Sequence, residues 1–359
     1  MNQYYTVIIY LEIFSMLIMR LFVSRSNTLS NDRKRLFHFF FGIIAVAALC
    51  EWLGVFLQGI GGGTRLLHIA VKWIELSIAP SLCFMFALVL DRRCRRSVLF
   101  FLLLHAFLEL VSCFSGFIFS VDMNSCYSHG QYYWIYILAY TMAIFYSLYV
   151  VLQNIKRYQY TGAIVFALIM LWLLAGIGVQ LYDSSLKVSY LALSSASILT
   201  YVFTLEMIQQ TDELTELLNR RGYENYIAHL DQSCVVLFFD VDHFKEINDT
   251  FGHSMGDEVL RTLGRCVRQT YAHYGKCFRY GGDEFCVVLL DRLGEVEQLN
   301  HDFFMAVQEL REKEERTPSV SIGYARYDPK RSNIQDVVAE ADRMMYEYKR
   351  KRREQENRL

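Results

Sequence analysis

Apolar residues are distributed unevenly along this chain, and that distribution limits its possible folds more than any other feature. From residue 1 to about 207, long apolar stretches follow one another, whereas the sequence after Thr211 has the mixed composition of a soluble domain. A stretch of roughly 20 apolar residues can cross the hydrocarbon core of a bilayer as a helix. A soluble bundle of buried helices is the alternative, and the repetition of stretches of this length argues against it.

Seven membrane-spanning helices are predicted in this first part, so residues 1–207 are expected to form an all-α transmembrane bundle. A short linker, 208–211, and a second domain, 212–359, follow. The outer loops are too short to form an extracellular domain, so a small ligand or membrane signal must be read within or beside the bilayer. The predicted spans run near residues 4–23, 37–60, 67–90, 97–120, 131–153, 162–182 and 188–207.

Positive charge in the loops predicts how this bundle is oriented. Basic residues concentrate in the first, third and fifth loops, while the alternate loops hold only Arg65 and Lys187. Cytoplasmic loops carry the excess of Lys and Arg. The chain is therefore expected to be a multi-pass protein of the cell membrane, with its N-terminus outside and its second domain in the cytoplasm. The basic loop residues are Arg25, Arg33, Lys34, Arg35, Arg92, Arg93, Arg95, Arg96, Lys156 and Arg157.

Several ionisable residues fall inside the predicted spans, where a charge is costly; four glutamates and one lysine among them allow two interpretations. One interpretation is an intramembrane site for a ligand, ion or proton, in which Lys72 pairs with a glutamate. The other is that several of these residues lie near span ends, extend toward the interface, or pair only for helix packing. Both interpretations stay open from the sequence. The residues are Glu12, Glu51, Lys72, Glu75 and Glu109.

A second informative feature is the motif from Arg279 to Phe285. Lys276–Tyr280 and Phe285–Leu290 flank it with the length and residue types of strands. Gly281-Gly282 can adopt the positive φ angles that a tight two-residue hairpin requires. The hairpin would place Asp283-Glu284 where backbone can approach a phosphate closely, although the motif alone would also suit a surface turn with solvated acids.

A second acidic site lies upstream. The apolar run Cys234–Phe239 has strand length and ends in Asp240 and Asp242. Carboxylates at the end of a buried strand suit a divalent cation such as Mg²⁺ or Mn²⁺, bound together with substrate phosphates. The following residues predict a tight turn and a short helix, whose first backbone N–H groups could hold phosphate oxygens.

The segment Gly252–Asp257 is predicted to be a turn that leads into another helix. Ser254 is a plausible N-cap for that helix. Asp257 would then lie in the first helical turn, where capping is an alternative to a binding role.

Together these motifs resemble the catalytic domain of the diguanylate cyclases, the GGDEF family. The resemblance covers roughly two-fifths of the chain, from about Thr211 to Arg353. It implies an α/β domain of the nucleotide-cyclase type, in which helices flank a central, mainly antiparallel sheet. Four blocks in the same order carry it. They are Asp212–Arg221, Asp240–Asp257, Arg279–Phe285, and Ala341–Lys349 with Arg353.

The resemblance implies that two GTP molecules condense to cyclic di-GMP with loss of pyrophosphate, each 3′-hydroxyl attacking the α-phosphate of the other. Asp240, Asp283 and the backbone carbonyl of Val241 would hold Mg²⁺ or Mn²⁺, two ions per active site. Glu284 would be a further ligand or would assist deprotonation of the hydroxyl. Each domain binds one GTP, so a homodimer is expected. Nucleic acid is not expected as a partner.

The resemblance also assigns substrate contacts. Asn248 and Asp257 match the positions that read the guanine edge, and their amide and carboxylate can pair with its O6, N1–H and N2–H₂ groups. The basic run at 349–353 would otherwise be a solvated helix end. The positions that match phosphate contacts are Phe244, Lys245, Lys349 and Arg353.

The sequence departs from the family's pattern at three places. Glu216 and Arg352 each replace a residue that is usually glycine, which affects local geometry rather than the metal or guanine positions. Many relatives carry Arg-x-x-Asp shortly before the hairpin, where product binds and inhibits. This chain has Ala272-His273-Tyr274-Gly275 there, so no inhibitory product site is expected.

The leading interpretation is therefore a membrane-bound diguanylate cyclase that is regulated by a signal sensed in or near the membrane. Three alternatives remain: a GGDEF domain that binds GTP as a regulatory ligand without turnover, a transporter or receptor with a secondary cytoplasmic domain, and an enzyme that makes another cyclic dinucleotide. The intact acids argue against the first, and Asn248 with Asp257 against the third. The short linker predicts that movement of the seventh span passes directly into a helix beginning near Asp212.

Overall fold

The computed structural model describes residues 3–90, 95–158, 163–182, 186–313 and 318–356. Most described residues up to Leu205 form one compact unit, and those from Glu206 onward form a second. Two of the basic residues used for the orientation prediction, Arg92 and Arg93, lie outside the described residues.

The first unit consists mainly of helices. Among the described residues, six helices are long and apolar enough to cross a membrane, judged by length and composition. In α6 the apolar stretch, Ile164–Gln180, is shorter than in the others. The helices are α1 (Gln3–Arg25), α2 (Asn31–Leu57), α3 (Arg65–Leu90), α4 (Arg95–Ser115), α5 (Trp134–Tyr158), α6 (Ala163–Tyr182) and α7 (Ser189–Gln210), with a 3₁₀ turn at Gly62–Thr64.

The fourth predicted span was wrong at its C-terminal end, because α4 stops at Ser115 rather than at residue 120. Gly116 has φ of 69°, and the Ser112 hydroxyl accepts hydrogen bonds from the N–H groups of Ile118 and Phe119, both at 2.9 Å. These contacts turn the chain into a short antiparallel hairpin, β1 (Phe119–Val121) and β2 (Tyr127–His129).

The predicted linker also needs correction. Helix α7 continues to Gln210, so residues 208–210 are helical, and no helix begins near Asp212. The Asp212 carboxylate instead accepts hydrogen bonds from the backbone N–H and the hydroxyl of Thr215, at 2.8 and 2.7 Å, and closes a turn. A short aspartate that bonds the backbone a few residues ahead competes with helix formation.

Glu216, where the related family usually has glycine, has φ of 60° in this turn. Glycine adopts that left-handed conformation without steric cost, whereas other residues do so rarely. The Glu216 carboxylate lies 3.2 Å from the Arg268 guanidinium. The turn thus keeps the backbone geometry that explains the usual glycine.

The second unit is built on one five-stranded sheet with the strand order β3–β5–β6–β4–β7. The pair β3–β5 is parallel and the other three pairs are antiparallel, as the resemblance predicts. The strands are β3 (Leu218–Asn219), β4 (Cys234–Val241), β5 (Gly275–Arg279), β6 (Glu284–Leu289) and β7 (Val320–Tyr327). The helices are α8 (Arg220–Ala228), α9 (Phe244–Phe251), α10 (His253–Tyr271), α11 (Val296–Lys313) and α12 (Ile334–Glu356).

Alternate residues of β4 explain why helices cover both faces of this sheet. Leu237 and Phe239 belong to a core with residues of α10 and α11, whereas Val236 and Phe238 belong to a core with residues of α8 and α12. Successive side chains of a strand point to opposite faces, so a continuous apolar run requires two covered faces. The prediction of a buried strand flanked by helices is confirmed.

Packing of α12 on β7 depends on Gly323. A Cβ at this position would lie 2.1 Å from the backbone N of Met345 and 2.3 Å from the carbonyl O of Ala341. We expect Gly323→Ala to lower the free energy of unfolding of this unit by about 1–3 kcal/mol, because α12 must shift to make room. Denaturant titration of the full chain in detergent would measure it. Gly294→Ala is the control, since a Cβ at Gly294 meets no atom within 4 Å; equal stability of the two variants would contradict the expectation.

Candidate functional site

The hairpin between β5 and β6 carries two of the predicted acids. The backbone N–H of Tyr280 donates to the carbonyl of Glu284 at 2.8 Å, which leaves residues 281–283 in the turn. Neither Gly281 nor Gly282 adopts a positive φ, so the predicted two-residue turn was wrong. Gly281 instead lies close to Glu284, since a Cβ there would be 2.6 Å from the end of that flexible side chain.

Strand register brings the two acidic motifs together. Asp240 near the end of β4 is the cross-strand partner of Glu284 at the start of β6. The backbone N–H of Val241 donates to the carbonyl of Asp283 at 3.2 Å. The structure therefore places Asp240, Asp283 and Glu284 at the same end of the sheet.

The crowding of carboxylates shows in their electrostatics. Burial raises the pKa of Asp240 above its usual value, the ion pair with the Lys349 ammonium opposes that rise, and Asp283 adds to it. Burial also raises the pKa of Glu284, and the carboxylates of Asp240 and Asp283 raise it further. Like charges directly opposite each other on neighbouring strands are destabilising. The site thus favours binding of positive charge.

The donor chemistry fits a hard divalent cation. Carboxylate and backbone carbonyl oxygens are the ligands that Mg²⁺ and Mn²⁺ prefer. Within the described ranges no group of three or more His, Cys, Asp or Glu side chains is arranged as a metal site. On the β4 side, Lys349 supplies the positive charge that Asp240 would otherwise take from a cation.

Arg279 fixes the hairpin turn, a role that the sequence did not reveal. Its guanidinium donates to the Gly282 carbonyl at 2.7 Å and to both oxygens of Asp212 at 3.1 and 3.2 Å. Asp212 follows the end of α7, so this ion pair connects the hairpin to the start of the second unit. The sequence offered two signals for this ion pair. They are Arg279, two residues before the glycine pair, and Asp212, the first residue of the first block.

The predicted guanine-reading residues come from two consecutive helices. Asn248 lies on α9, and a Cβ at Gly256 would be only 2.1 Å from its amide oxygen. Asn248 therefore lies against the first turn of α10, next to Asp257, whose side chain is exposed. Ser254 is not the N-cap: α10 begins at His253, after Gly252 with φ of 83°.

The short helix predicted after Asp242 is confirmed as α9, and His243 with φ of 55° precedes it. Phe244 is half-buried and packs on the core, whereas Lys245 is exposed. Because α9 begins three residues after β4 ends, its N-terminus lies near the end of that strand.

The predicted phosphate-binding cations occupy the last turns of α12. Lys349 is half-buried and forms an ion pair with Asp240, while Arg353 is exposed. Between them Arg352 lies 3.5 Å from the carboxylate of Asp242. Arg352 was not predicted to belong to the site, and Asp242, which the sequence offered beside Asp240 as a carboxylate for a divalent cation, pairs with this arginine instead.

The raised pKa of Glu284 has a measurable consequence. The folded chain keeps this proton at pH values where the unfolded chain has released it, so stability falls as pH rises from the usual glutamate pKa to the raised one. Glutamine carries no charge and avoids that cost. In EDTA at about pH 7.5, Glu284→Gln should therefore melt at a higher temperature than the unmodified chain, and the difference should vanish near pH 4.

Melting curves across this pH range in the presence of EDTA would test the expectation. Glu340→Gln, which alters an exposed glutamate of α12, is the control. A stabilisation by Glu284→Gln that does not depend on pH would contradict the electrostatic explanation.

Comparison with known proteins identifies the second unit. Residues 209–355 match the family model described as "Diguanylate cyclase, GGDEF domain". The Escherichia coli protein named diguanylate cyclase DosC is 32% identical over 201 residues, which cover 48% of this chain and 42% of that protein. The Bacillus subtilis protein YhcK is 32% identical over 151 residues, or 38% of this chain and 42% of that protein.

A solved structure is also similar. The GGDEF domain of DgcB from Caulobacter crescentus, in complex with c-di-GMP, is 28% identical, with a TM-score of 0.36 over 39% of this chain and 90% of that domain. The chain spans about two-fifths of the length of the curated relatives that it matches, 42% for both proteins above.

Proposed function

Because residues 209–355 of this chain belong to the GGDEF family of diguanylate cyclases, we propose that the protein condenses two GTP molecules to cyclic di-GMP and pyrophosphate. The observation that carries the proposal is the cross-strand pairing of Asp240 with Glu284, beside Asp283. These acids lie near the turn into α9, the helix that carries Asn248. Acids, a helix N-terminus and a base-reading amide are the parts that nucleotidyl transfer requires.

Asp240, Asp283 and the Val241 carbonyl are the groups that would hold divalent cations, two per site. When bound, such ions lower the pKa of an attacking hydroxyl and neutralise charge on the phosphate oxygens. Glu284 would be a further ligand or would take the proton of the 3′-hydroxyl. Its raised pKa, which burial and neighbouring acids cause, makes it a better proton acceptor than an exposed glutamate.

Two groups of residues would contact the substrate, one at the guanine base and the other at the phosphates. Asn248 and Asp257 would pair with the guanine edge, where an amide and a carboxylate satisfy its acceptor and donors. The exposed N-terminal turn of α9, with Phe244 and Lys245, would face the phosphates. Lys349 would exchange Asp240 for the triphosphate once a divalent cation binds the carboxylate.

Two copies of the site are needed for the reaction, because each 3′-hydroxyl attacks the other GTP and each domain holds one. A homodimer is therefore part of the proposal. The condensation forms two phosphodiester bonds and releases two pyrophosphates, so neither site completes the product alone.

The first unit would anchor the enzyme in the cell membrane. Its six long apolar helices, together with α6, would make seven spans, with the N-terminus outside and the GGDEF domain in the cytoplasm. That odd number agrees with the distribution of basic loop residues and with the cytoplasmic supply of GTP. The proposed domain bounds are 1–207 for the membrane unit, 208–211 for the connection and 212–359 for the cyclase.

Synthesis of cyclic di-GMP from GTP tests the proposed activity directly. The unmodified full chain in detergent or lipid should form cyclic di-GMP from GTP and Mg²⁺, and the double variant Asp283→Ala, Glu284→Ala should lose at least about a hundredfold of the rate. Mass spectrometry of the product measures both.

Added cyclic di-GMP should not inhibit at micromolar levels, because Ala272–Gly275 lacks the usual inhibitory motif.

The same assay separates the alternatives. GTP binding without product, in a chain shown to be dimeric, would favour a regulatory GTP receptor and contradict the enzyme. A different cyclic dinucleotide from mixed GTP and ATP would keep the fold of the site but contradict the guanine assignment.

Regulation would begin at buried polar groups of the membrane unit. Glu51 on α2 is 2% exposed and accepts hydrogen bonds from the Tyr5 hydroxyl at 2.9 Å and from the Gln180 amide at 3.2 Å. Gln180 in turn accepts a bond from the backbone N–H of Ser189, the first residue of α7, at 3.0 Å. The chain of contacts ends on the helix that continues to Gln210.

Lys72 and Glu75 add a pair to this region. Their ammonium and carboxylate are 2.8 Å apart, which agrees with the predicted pairing of Lys72 with a glutamate. A Cβ at Gly54, one turn beyond Glu51 on α2, would lie 2.9 Å from the Lys72 nitrogen. The Lys72–Glu75 pair thus lies beside the segment of α2 that carries Glu51. A buried group of this kind suits a cationic ligand or a proton as the signal.

We expect Gln180→Met to change the cyclase rate of the full chain at least about threefold, because it removes the bonds to Glu51 and Ser189 at similar volume. Ser195→Ala is the matched control: it removes another α6–α7 hydrogen bond, from the Trp172 indole to Ser195 at 2.8 Å, that lies outside this chain of contacts. Initial rates at saturating GTP measure the effect. Equal rates for the two variants would contradict regulation through Glu51.

A further inference from the structure

Asp242 is a buried carboxylate that the proposed reaction does not use. It is 4% exposed, and its two oxygens accept hydrogen bonds from the hydroxyls of Ser321 at 2.8 Å and Ser319 at 2.9 Å. Its backbone N–H donates to the Ser319 carbonyl at 2.9 Å. These bonds fix Asp242 to β7, but two neutral hydroxyls leave its charge uncompensated, and a buried charge is costly without a counter-charge.

Arg352 supplies that counter-charge from the last turns of α12. Its guanidinium lies 3.5 Å from Asp242, and its side chain is 29% exposed. The neighbouring Arg350 is 64% exposed instead and lies 3.8 Å from Glu354 on its own helix. The two arginines therefore make different contacts: Arg352 pairs with a residue outside α12, whereas Arg350 pairs with a residue of its own helix.

The contact of Arg352 is one of two adjacent ion pairs. Lys349 and Arg352 are three residues apart and so lie on the same face of α12. Lys349 forms an ion pair with Asp240, and Arg352 with Asp242, two residues further along the same chain segment. Both pairs hold the last turns of α12 on the end of β4.

The two pairs differ in what substrate would do to them. A divalent cation at Asp240 and a triphosphate near α12 would together displace Lys349 from Asp240. Asp242 is enclosed by β7 and its bonds to Ser319 and Ser321, so its pair with Arg352 would persist. After the exchange, Arg352 would be the remaining charged contact of this face of α12 with the end of β4.

We propose that Arg352 is a positioning residue, which through Asp242 keeps the last turns of α12 in place so that Lys349 and Arg353 reach the triphosphate. This inference rests on the proposed function. It gives a role to the arginine that replaces the glycine usual at this position, since glycine could form no such pair.

The test compares Arg352→Gly with Arg350→Gly in the full-length protein. Both variants remove an arginine and place a glycine in the same helix, so they share the loss of helix propensity. Arg352→Gly should raise the KM for GTP about tenfold and lower kcat less than about threefold, because substrate positioning rather than chemistry is lost. Arg352→Lys keeps a cation and should stay within about threefold of the unmodified KM.

Binding of a non-hydrolysable GTP analogue with Mg²⁺, measured by calorimetry, should show the same order of affinities. If the unmodified chain binds the analogue but makes no cyclic di-GMP, the proposed function fails and this comparison still decides the role of Arg352. A KM and an affinity for Arg352→Gly equal to those of Arg350→Gly would overturn the inference, as would a fall in kcat alone.

A measurement without nucleotide covers the case in which no analogue binds. Hydrogen exchange of backbone amides in peptides that cover 345–356 should be faster in Arg352→Gly than in Arg350→Gly, because only the first variant removes one of the two ion pairs that hold α12 on the end of β4. Equal exchange rates in the two variants would overturn the inference whatever the activity of the chain.

Discussion

The antiparallel pairing of β4 with β6 is the constraint on which the second unit depends. It sets Asp240 opposite Glu284 and ties the Val241 N–H to Asp283, so two acidic motifs that are far apart in sequence become one site. Because β4 is buried on both faces, a slip of its register by one residue would turn Leu237 and Phe239 to the wrong core. Hydrophobic burial therefore fixes the position of the carboxylates, although their mutual repulsion opposes it.

That repulsion is balanced by cations from α12. Lys349 neutralises Asp240, and Arg352 neutralises Asp242, so the helix that would contact substrate phosphates also stabilises the acidic end of the sheet. An arrangement of this kind stores unfavourable interactions that ligands can relieve. The hairpin is held separately, through Arg279, Gly282 and Asp212, which links its position to the segment that follows α7.

The first unit also contains buried polar and charged side chains. Glu51 satisfies its carboxylate with Tyr5 and Gln180, and Lys72 pairs with Glu75. Glu12 is 4% exposed, and among the described residues its carboxylate oxygens have no hydrogen-bond partner. Glu12 and Glu51 are thus buried among the helices of the first unit. Polar groups at such cost are typical of functional sites in membranes.

The sequence by itself indicated that the chain has two parts and that strands flank the acidic motifs, because hydrophobic pattern and residue chemistry are local properties. It could not determine the turn of the hairpin, the start of α10 at His253 or the helical end of α7, since neighbouring contacts decide such boundaries. It also gave no role to Arg279 or Arg352, and it did not reveal that Asp242 pairs with Arg352. Their partners are distant in sequence, and only the tertiary structure brings each opposite charge within reach.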